Sequence, residues 1–390
     1  MGEQQFSNSY MITNRAYPAQ EKGSYIYPAP AGTMFYFLAP GANNSNSIDY
    51  KQVNNTPTGP MPSSYQSGLE ADIKLAVQNG GPVTVYIHGL AYYFSDACRA
   101  LGTYGHNLAA QGYKGLLIGF SWPSYGDTDS YFYYGSLPYS FPPAAVSGTI
   151  RDNIHGSTMS LLNLLSMLVP LCKKNGAKLN LLCHSEGNYM LTLAMYALSG
   201  NSDPSLSALV EAGRFADQVL LVAADINNGA LDPPKGTPPV SGQGSWIAQY
   251  SKEVTVYWSS ADSMLGVSDG WTSYHNPSFP KRLGLHGPDS FAIGGLLPNA
   301  VALDCSLVAN GSNPHTPWLV SVHESYFYIP QVLGDMTQTL NETPPDKVVN
   351  RVSTGAPDNQ AFQMTLVPSP MTAPLRPLGA RLPKEVPVDA

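Results

Sequence analysis

The sequence is short of charge. Asp, Glu, Lys and Arg make up 12% of its 390 residues, against roughly 25% in an ordinary globular chain. The net charge of −7 comes without any basic cluster, which excludes the electrostatic footprint of a nucleic-acid-binding protein. Cysteine is scarce as well. Cys98, Cys172, Cys183 and Cys305 have no Cys-x-x-Cys spacing, so no zinc site is encoded. They read as buried free thiols, with a Cys172–Cys183 disulfide as the alternative. HExxH, the Walker A motif and a complete Gly-x-Gly-x-x-Gly are all missing; Gly242-Gln243-Gly244 lacks the third glycine. No metal and no cofactor are therefore implied. No apolar run is long enough to span a membrane. Met1-Gly2-Glu3-Gln4-Gln5 has neither a basic start nor an apolar stretch, so no signal peptide is visible and the cytoplasm is the default expectation. The low-charge surface, rich in Gly, Pro, Asn, Ser and Tyr, nevertheless resembles that of exported proteins.

With 43% hydrophobic residues the chain can bury one large core. Its apolar segments alternate in type. Residues 82–89, 114–122, 178–183, 219–225, 253–262 and 299–306 read as strands, β-branched and aromatic. Residues 96–111, 149–172, 188–199 and 330–340 read as helices, with apolar residues at three- and four-residue steps. Strands alternating with helices predict an α/β fold, a mostly parallel sheet with helices on both faces. One domain over residues 1–342 accounts for these segments. Residues 125–143, dense in aromatics, and 264–298 are candidate lid or cap insertions, and 41–66 reads as a surface loop. Residues 343–390 turn proline-rich and read as an extended tail.

The segment Leu181-Leu182-Cys183-His184-Ser185-Glu186-Gly187-Asn188 carries the chemistry. An apolar strand stops, a serine follows, and a helix begins. That is the layout of a nucleophile elbow, which exposes a serine hydroxyl above a sheet. Backbone N–H groups at the helix start carry partial positive charge and suit an oxyanion. Gly187 permits a close approach to the neighbouring strand. Cys183 stands where the elbow pattern has its first glycine.

Ile87-His88-Gly89, Gly119-Phe120-Ser121-Trp122-Pro123-Ser124 and Cys183-His184-Ser185-Glu186-Gly187-Asn188 together resemble the α/β-hydrolase superfamily. More narrowly, they are similar to a bacterial family of uncharacterised esterase- and lipase-like hydrolases with an HG…FSWPS…HSxGN pattern. Ile12-Thr13-Asn14-Arg15 and His323-Glu324-Ser325-Tyr326-Phe327 extend the resemblance over about residues 10–342. It implies an α/β-hydrolase fold, with a triad in the order serine, acid, histidine. Ser185 is the expected nucleophile and His323, after the last strand, the expected base. Three aspartates compete for the acid. Asp262 follows the strand two beyond the elbow strand, the superfamily position; Asp225 and Asp304 are the alternatives, with turn or helix-capping roles as their ordinary reading. His275, His286 and His315 fall in Gly/Pro-rich sequence and read as solvent-facing. The oxyanion donors implied are the N–H groups of Leu90 and Glu186. His88 and His184 read as structural, holding two loops by hydrogen bonds.

The implied reaction is hydrolysis of a carboxylic ester through an acyl-serine, on a small-molecule or lipid-like substrate. Lipase, thioesterase, amidase and polyester hydrolase use the same triad, and a non-catalytic binding module could retain the same fold. Tyr133 and Tyr134, in the aromatic insertion, are candidate substrate contacts. The Glu186 carboxylate reads either as a favourable charge in the first helical turn or as a charge that disfavours anionic substrates. The oligomeric state is left open.

Overall fold

The computed structural model describes residues 6–15, 34–40, 51–53, 61–90, 92–124, 150–200, 203–232, 244–275, 281–289, 296–309, 318–354 and 360–365. In chain order the strands are β1 (Asn8–Thr13), β2 (Phe35–Pro40), β3 (Lys51–Gln52), β4 (Val83–Ile87), β5 (Leu116–Ser121), β6 (Leu179–His184), β7 (Ala216–Val222), β8 (Ser251–Trp258), β9 (Ala300–Asp304), β10 (Arg351–Ser353) and β11 (Ala361–Met364). They form one sheet in the order β10-β11-β9-β8-β7-β6-β4-β5-β1-β2-β3. Every pair from β11 to β1 is parallel. The two ends are antiparallel: β2 and β3 on one side, β10 on the other.

The helices are α1 (Ser63–Gln78), α2 (Phe94–Ala110), α3 (Ile150–Asn175), α4 (Gly187–Ser199), α5 (Ser207–Ala212), α6 (Ser245–Tyr250), α7 (Ser263–His275), α8 (Leu283–His286), α9 (Trp318–Ser325) and α10 (Pro330–Leu340). They cover both faces. Val85, Ile87, Ile118, Leu181 and Val219 point into one core with Ile73, Leu161, Leu165 and Leu191 from α1, α3 and α4. The alternate residues Tyr86, Leu117, Leu182, Leu220 and Tyr257 point into a second core with Leu101, Tyr104, Leu333 and Met336 from α2 and α10. The two-residue period of a strand thus divides one apolar run between two cores, and strands buried on both faces read as continuous apolar sequence. The fold class expected from the sequence holds.

Three expectations change. Residues 343–390 are not simply a tail. β11 adds a parallel strand to β9 and buries Phe362 and Met364, and β10 is tied down by Arg351. Its guanidinium donates to both Asp335 oxygens at 2.7 and 2.6 Å, and Tyr257 Oη donates to the same carboxylate at 2.7 Å. A proline-rich composition hides strands this short. The loop expected over 41–66 contains β3, paired to β2, and gives way at its end to α1, whose buried Tyr65, Leu69, Ile73 and Ala76 carry the helical period. Finally, 299–306 is not the last strand of the chain, because β10 and β11 follow it. Of the inserted segments, 264–298 contains α7 and α8, while 125–143 lies outside the described residues.

Candidate active site

The parallel strands end on one side of the sheet, and the loops after β4, β5, β6, β7 and β8 meet there, where open α/β sheets place their ligands. Ser185 follows β6 directly. Its φ is +53°, the left-handed region, which costs a non-glycine residue on the order of 1–3 kcal/mol and persists only where surroundings enforce it. The enforcement is visible. Ser185 N–H donates to Val222 O at 3.0 Å, and Asp225 N–H donates to Ser185 O at 3.3 Å. The buried Asn188 amide donates to Ser185 O at 2.8 Å and to Val222 O at 3.2 Å. Gly187 passes so close to β4 that a Cβ there would lie 2.7 Å from Ile87 O and His88 O, which is why the helix can start immediately behind the serine. Cys183 is accommodated as a fully buried strand residue. All four thiols are free and buried, and burial pushes the Cys172 thiol up to about 12.

His323 and Asp262 are brought together. The imidazole Nδ1 donates to Asp262 Oδ2 at 2.8 Å. Asp262 has a fully buried side chain, and its second oxygen accepts the Leu265 N–H at 3.1 Å. The carboxylate therefore caps α7 with one oxygen and orients His323 with the other, so the helix start fixes its rotamer. His323 lies within α9, just before α10. Burial alone pulls its pKa down; the facing Asp262 carboxylate, with Glu324 and Asp225, outweighs burial and leaves it above the ordinary histidine value. His184 Nε2 donates to His323 O at 3.0 Å, and the two rings stand 4.8 Å apart. Ser185 Oγ and His323 share no hydrogen bond in this structure. Such contacts are often long in substrate-free enzymes and tighten on binding.

The competing aspartates have other partners. Asp304 accepts the Ser306 N–H at 2.8 Å, a turn role. Asp225 is neither a turn nor a capping group. It pairs with the buried Arg282, Nε to Oδ1 at 3.2 Å, and accepts Ser268 Oγ at 3.1 Å. Arg282 is 4% exposed and was not foreseen; nothing local in the sequence marks it, because its partner lies in a distant loop. His286 faces Asp269 at 3.0 Å. The His275 side chain and His315 lie outside the described residues, as do Tyr133 and Tyr134.

Leu90 follows Gly89 at the end of β4, and its N–H makes no hydrogen bond among the described residues. Gly89 is so near the elbow that a Cβ would lie 2.7 Å from Ser185 Cβ. Glu186 is 1% exposed and directly precedes α4, at the helix start where a carboxylate is favourable. His88 is buried. Its Nε2 accepts the Trp122 N–H at 3.2 Å and its Nδ1 donates to Gly89 O at 2.8 Å, which uses both ring nitrogens in holding loops. Among the described residues no group of three or more His, Cys, Asp or Glu is placed to hold a metal ion, and no helix is long and apolar enough to cross a membrane.

No curated protein matches the chain. Among solved structures, it is similar to an esterase of Pyrobaculum calidifontis at 10% identity and a TM-score of 0.29, covering 72% of this chain and 94% of that one. It is also similar to esterase B of Lactobacillus rhamnosis at 12% identity and a TM-score of 0.26, covering 86% and 72%. Similarities this distant say nothing of activity. Residues 62–273, running from α1 through the elbow, Asp225 and Asp262 into α7, match the family described as "Alpha/beta hydrolase of unknown function (DUF900)". More than half of the chain carries that match, together with the parallel sheet and the strained serine after β6, and the chain belongs to this α/β-hydrolase family.

Proposed function

We propose that the protein is a serine hydrolase of carboxylic esters. The observation that supports this most is the pairing of His323 with the buried Asp262 at 2.8 Å, on the same sheet edge as a serine held at positive φ. In this reading Ser185 Oγ attacks the ester carbonyl and His323 takes its proton. Asp262 holds the tautomer with hydrogen on Nδ1, leaving Nε2 as the base, and stabilises the imidazolium. The N–H groups of Leu90 and Glu186 receive the oxyanion. His323 then protonates the leaving alcohol, and water, deprotonated by His323, releases the acid from the acyl-serine.

Substrate size is assigned to the aromatic segment 125–143. In sequence it follows Ser124, whose Oγ is bonded to Tyr92 at the base of the Leu90 loop, and its aromatic side chains Tyr133 and Tyr134 are proposed as the substrate contacts. A buried Glu186 beside the nucleophile favours neutral over anionic acyl groups. The test is a panel of p-nitrophenyl esters of graded acyl length. Turnover of short or medium esters that is lost in Ser185→Ala supports the proposal. Absence of turnover across the panel by folded protein points instead to a binding module that keeps the fold.

A further inference from the structure

Thr13, Asn14 and Arg15, at the end of β1, take no part in the chemistry above, yet all three are fully buried. Thr13 Oγ1 donates to Ser121 O at 2.6 Å. Asn14 Nδ2 donates to Ser157 Oγ of α3 at 2.8 Å. Arg15 reaches in the other direction, toward the loop after β4. Its Nη2 donates to Tyr92 O at 2.7 Å and its Nε donates to Ser121 Oγ at 3.0 Å.

The second contact continues. Ser121 Oγ lies 3.3 Å from His88 Nε2. That nitrogen accepts the Trp122 N–H, so the ring proton sits on Nδ1 and donates to Gly89 O at 2.8 Å. The His88 ring also stacks on Trp122, at 5.6 Å and 6°, and on Tyr92, at 4.9 Å and 29°. Trp122 Nε1 donates to His88 O at 2.7 Å. One guanidinium therefore grips the loop at both ends: directly at Tyr92 O, and at Gly89 O through Ser121 and His88. Between the two held carbonyls stands Leu90, whose N–H is unused among the described residues. Gly89 is meanwhile pressed against Ser185, with 2.7 Å from a would-be Cβ to Ser185 Cβ.

An oxyanion donor is effective only when its N–H is fixed within a few tenths of an ångström of where the charge develops. An N–H that directly follows a glycine does not hold itself to that tolerance. The planar fork of arginine offers several donors in fixed geometry, which suits it to bracing two points at once. We propose that Arg15 is a positioning residue for the oxyanion hole, setting the Leu90 N–H over Ser185 through its bonds to Tyr92 O and to the Ser121–His88–Gly89 relay. This rests on the reading of Ser185 as an ester-cleaving nucleophile.

The test uses the full chain with a p-nitrophenyl ester, comparing wild type, Arg15→Lys, Ser121→Ala and Ser185→Ala. Lysine keeps the charge but cannot span both contacts. The expected result for Arg15→Lys is a kcat lowered about 30- to 100-fold with KM changed less than about threefold. Affinity for an alkylboronic acid, which mimics the tetrahedral intermediate, falls by a similar factor. Ser121→Ala cuts only the relay and gives a smaller loss of the same kind. A merely structural role for Arg15 would lower the melting temperature and leave kcat per folded molecule and boronate affinity unchanged; that result overturns the proposal while Ser185-dependent turnover in wild type keeps the hydrolase reading intact. Should Arg15→Lys fail to fold, Ser121→Ala decides: kcat reduced at constant KM supports the relay, and kcat within about twofold of wild type overturns it. Wild type without Ser185-dependent turnover overturns both.

Discussion

His184 holds His323. The residue before the elbow serine donates from Nε2 to the main-chain carbonyl of the proposed base at 3.0 Å, and its ring packs against that base and against Phe327. The strand that presents Ser185 thus also fixes the backbone of its partner, although 139 residues separate them. His184→Phe keeps the ring packing and removes the donor. Expected is a kcat/KM lowered about 10- to 100-fold with the fold retained, read from steady-state kinetics beside circular dichroism. Unchanged kinetics would reduce the contact to packing.

The pH dependence follows from the His323 environment. Burial lowers its pKa, but Asp262, Glu324 and Asp225 together raise it above the ordinary value. The base is active when neutral, so the acid limb of kcat/KM is expected above the unperturbed histidine value of about 6.5. Asp262→Asn removes the largest opposing charge, so the limb moves to lower pH while kcat falls about 10³- to 10⁴-fold. For stability the sign is the reverse of a buried carboxylate's. A raised histidine pKa contributes below its unfolded value and is lost as pH rises through the folded one. A pH-rate profile of both proteins checks the first claim, and urea midpoints across the same range check the second.

Asp225 is held by Arg282 rather than by His323. Asp225→Asn is expected to retain most turnover and to lose stability, because it leaves a buried guanidinium uncompensated. Removing one partner of a buried pair costs about 3–5 kcal/mol. Arg282→Met in the Asp225→Asn background is expected to recover part of that loss. Denaturant midpoints of the two single variants and the double variant measure the coupling. If Asp225→Asn lost turnover as deeply as Asp262→Asn, the acid would have been misassigned.

Part of the candidate site was legible before the fold. An apolar strand, a serine and a helix in nine residues form a local pattern; Asp262 and His323 were expected from the family resemblance, with Asp225 and Asp304 as alternatives, and the structure brings His323 against Asp262. Arg282 was not legible, because a buried ion pair joins distant loops and leaves no local period. The role of Arg15 was hidden for the same reason: it follows β1, and its partners lie at the end of β5 and on the loop after β4. β10 and β11 were masked by proline-rich composition, and their evidence is pairing and the Arg351–Asp335 contact, which no single segment displays.

That C-terminal addition gives a prediction of its own. A chain cut after residue 342 loses β11, the buried Phe362 and Met364, and the counter-charge of Asp335. It is expected to unfold at distinctly lower denaturant than the full chain, and Arg351→Met to lose about 3–5 kcal/mol for the same reason as other broken buried pairs. A truncated chain as stable as the full one would return these residues to the status of a tail.

The central claim is that Ser185 is a nucleophile. Intact-mass analysis after exposure to a fluorophosphonate probe tests it directly. The account predicts one probe adduct on the wild type, located at Ser185 by peptide mapping, and none on Ser185→Ala. Folded wild type that stays unlabelled, or that is labelled elsewhere while Ser185→Ala labels equally well, would contradict it.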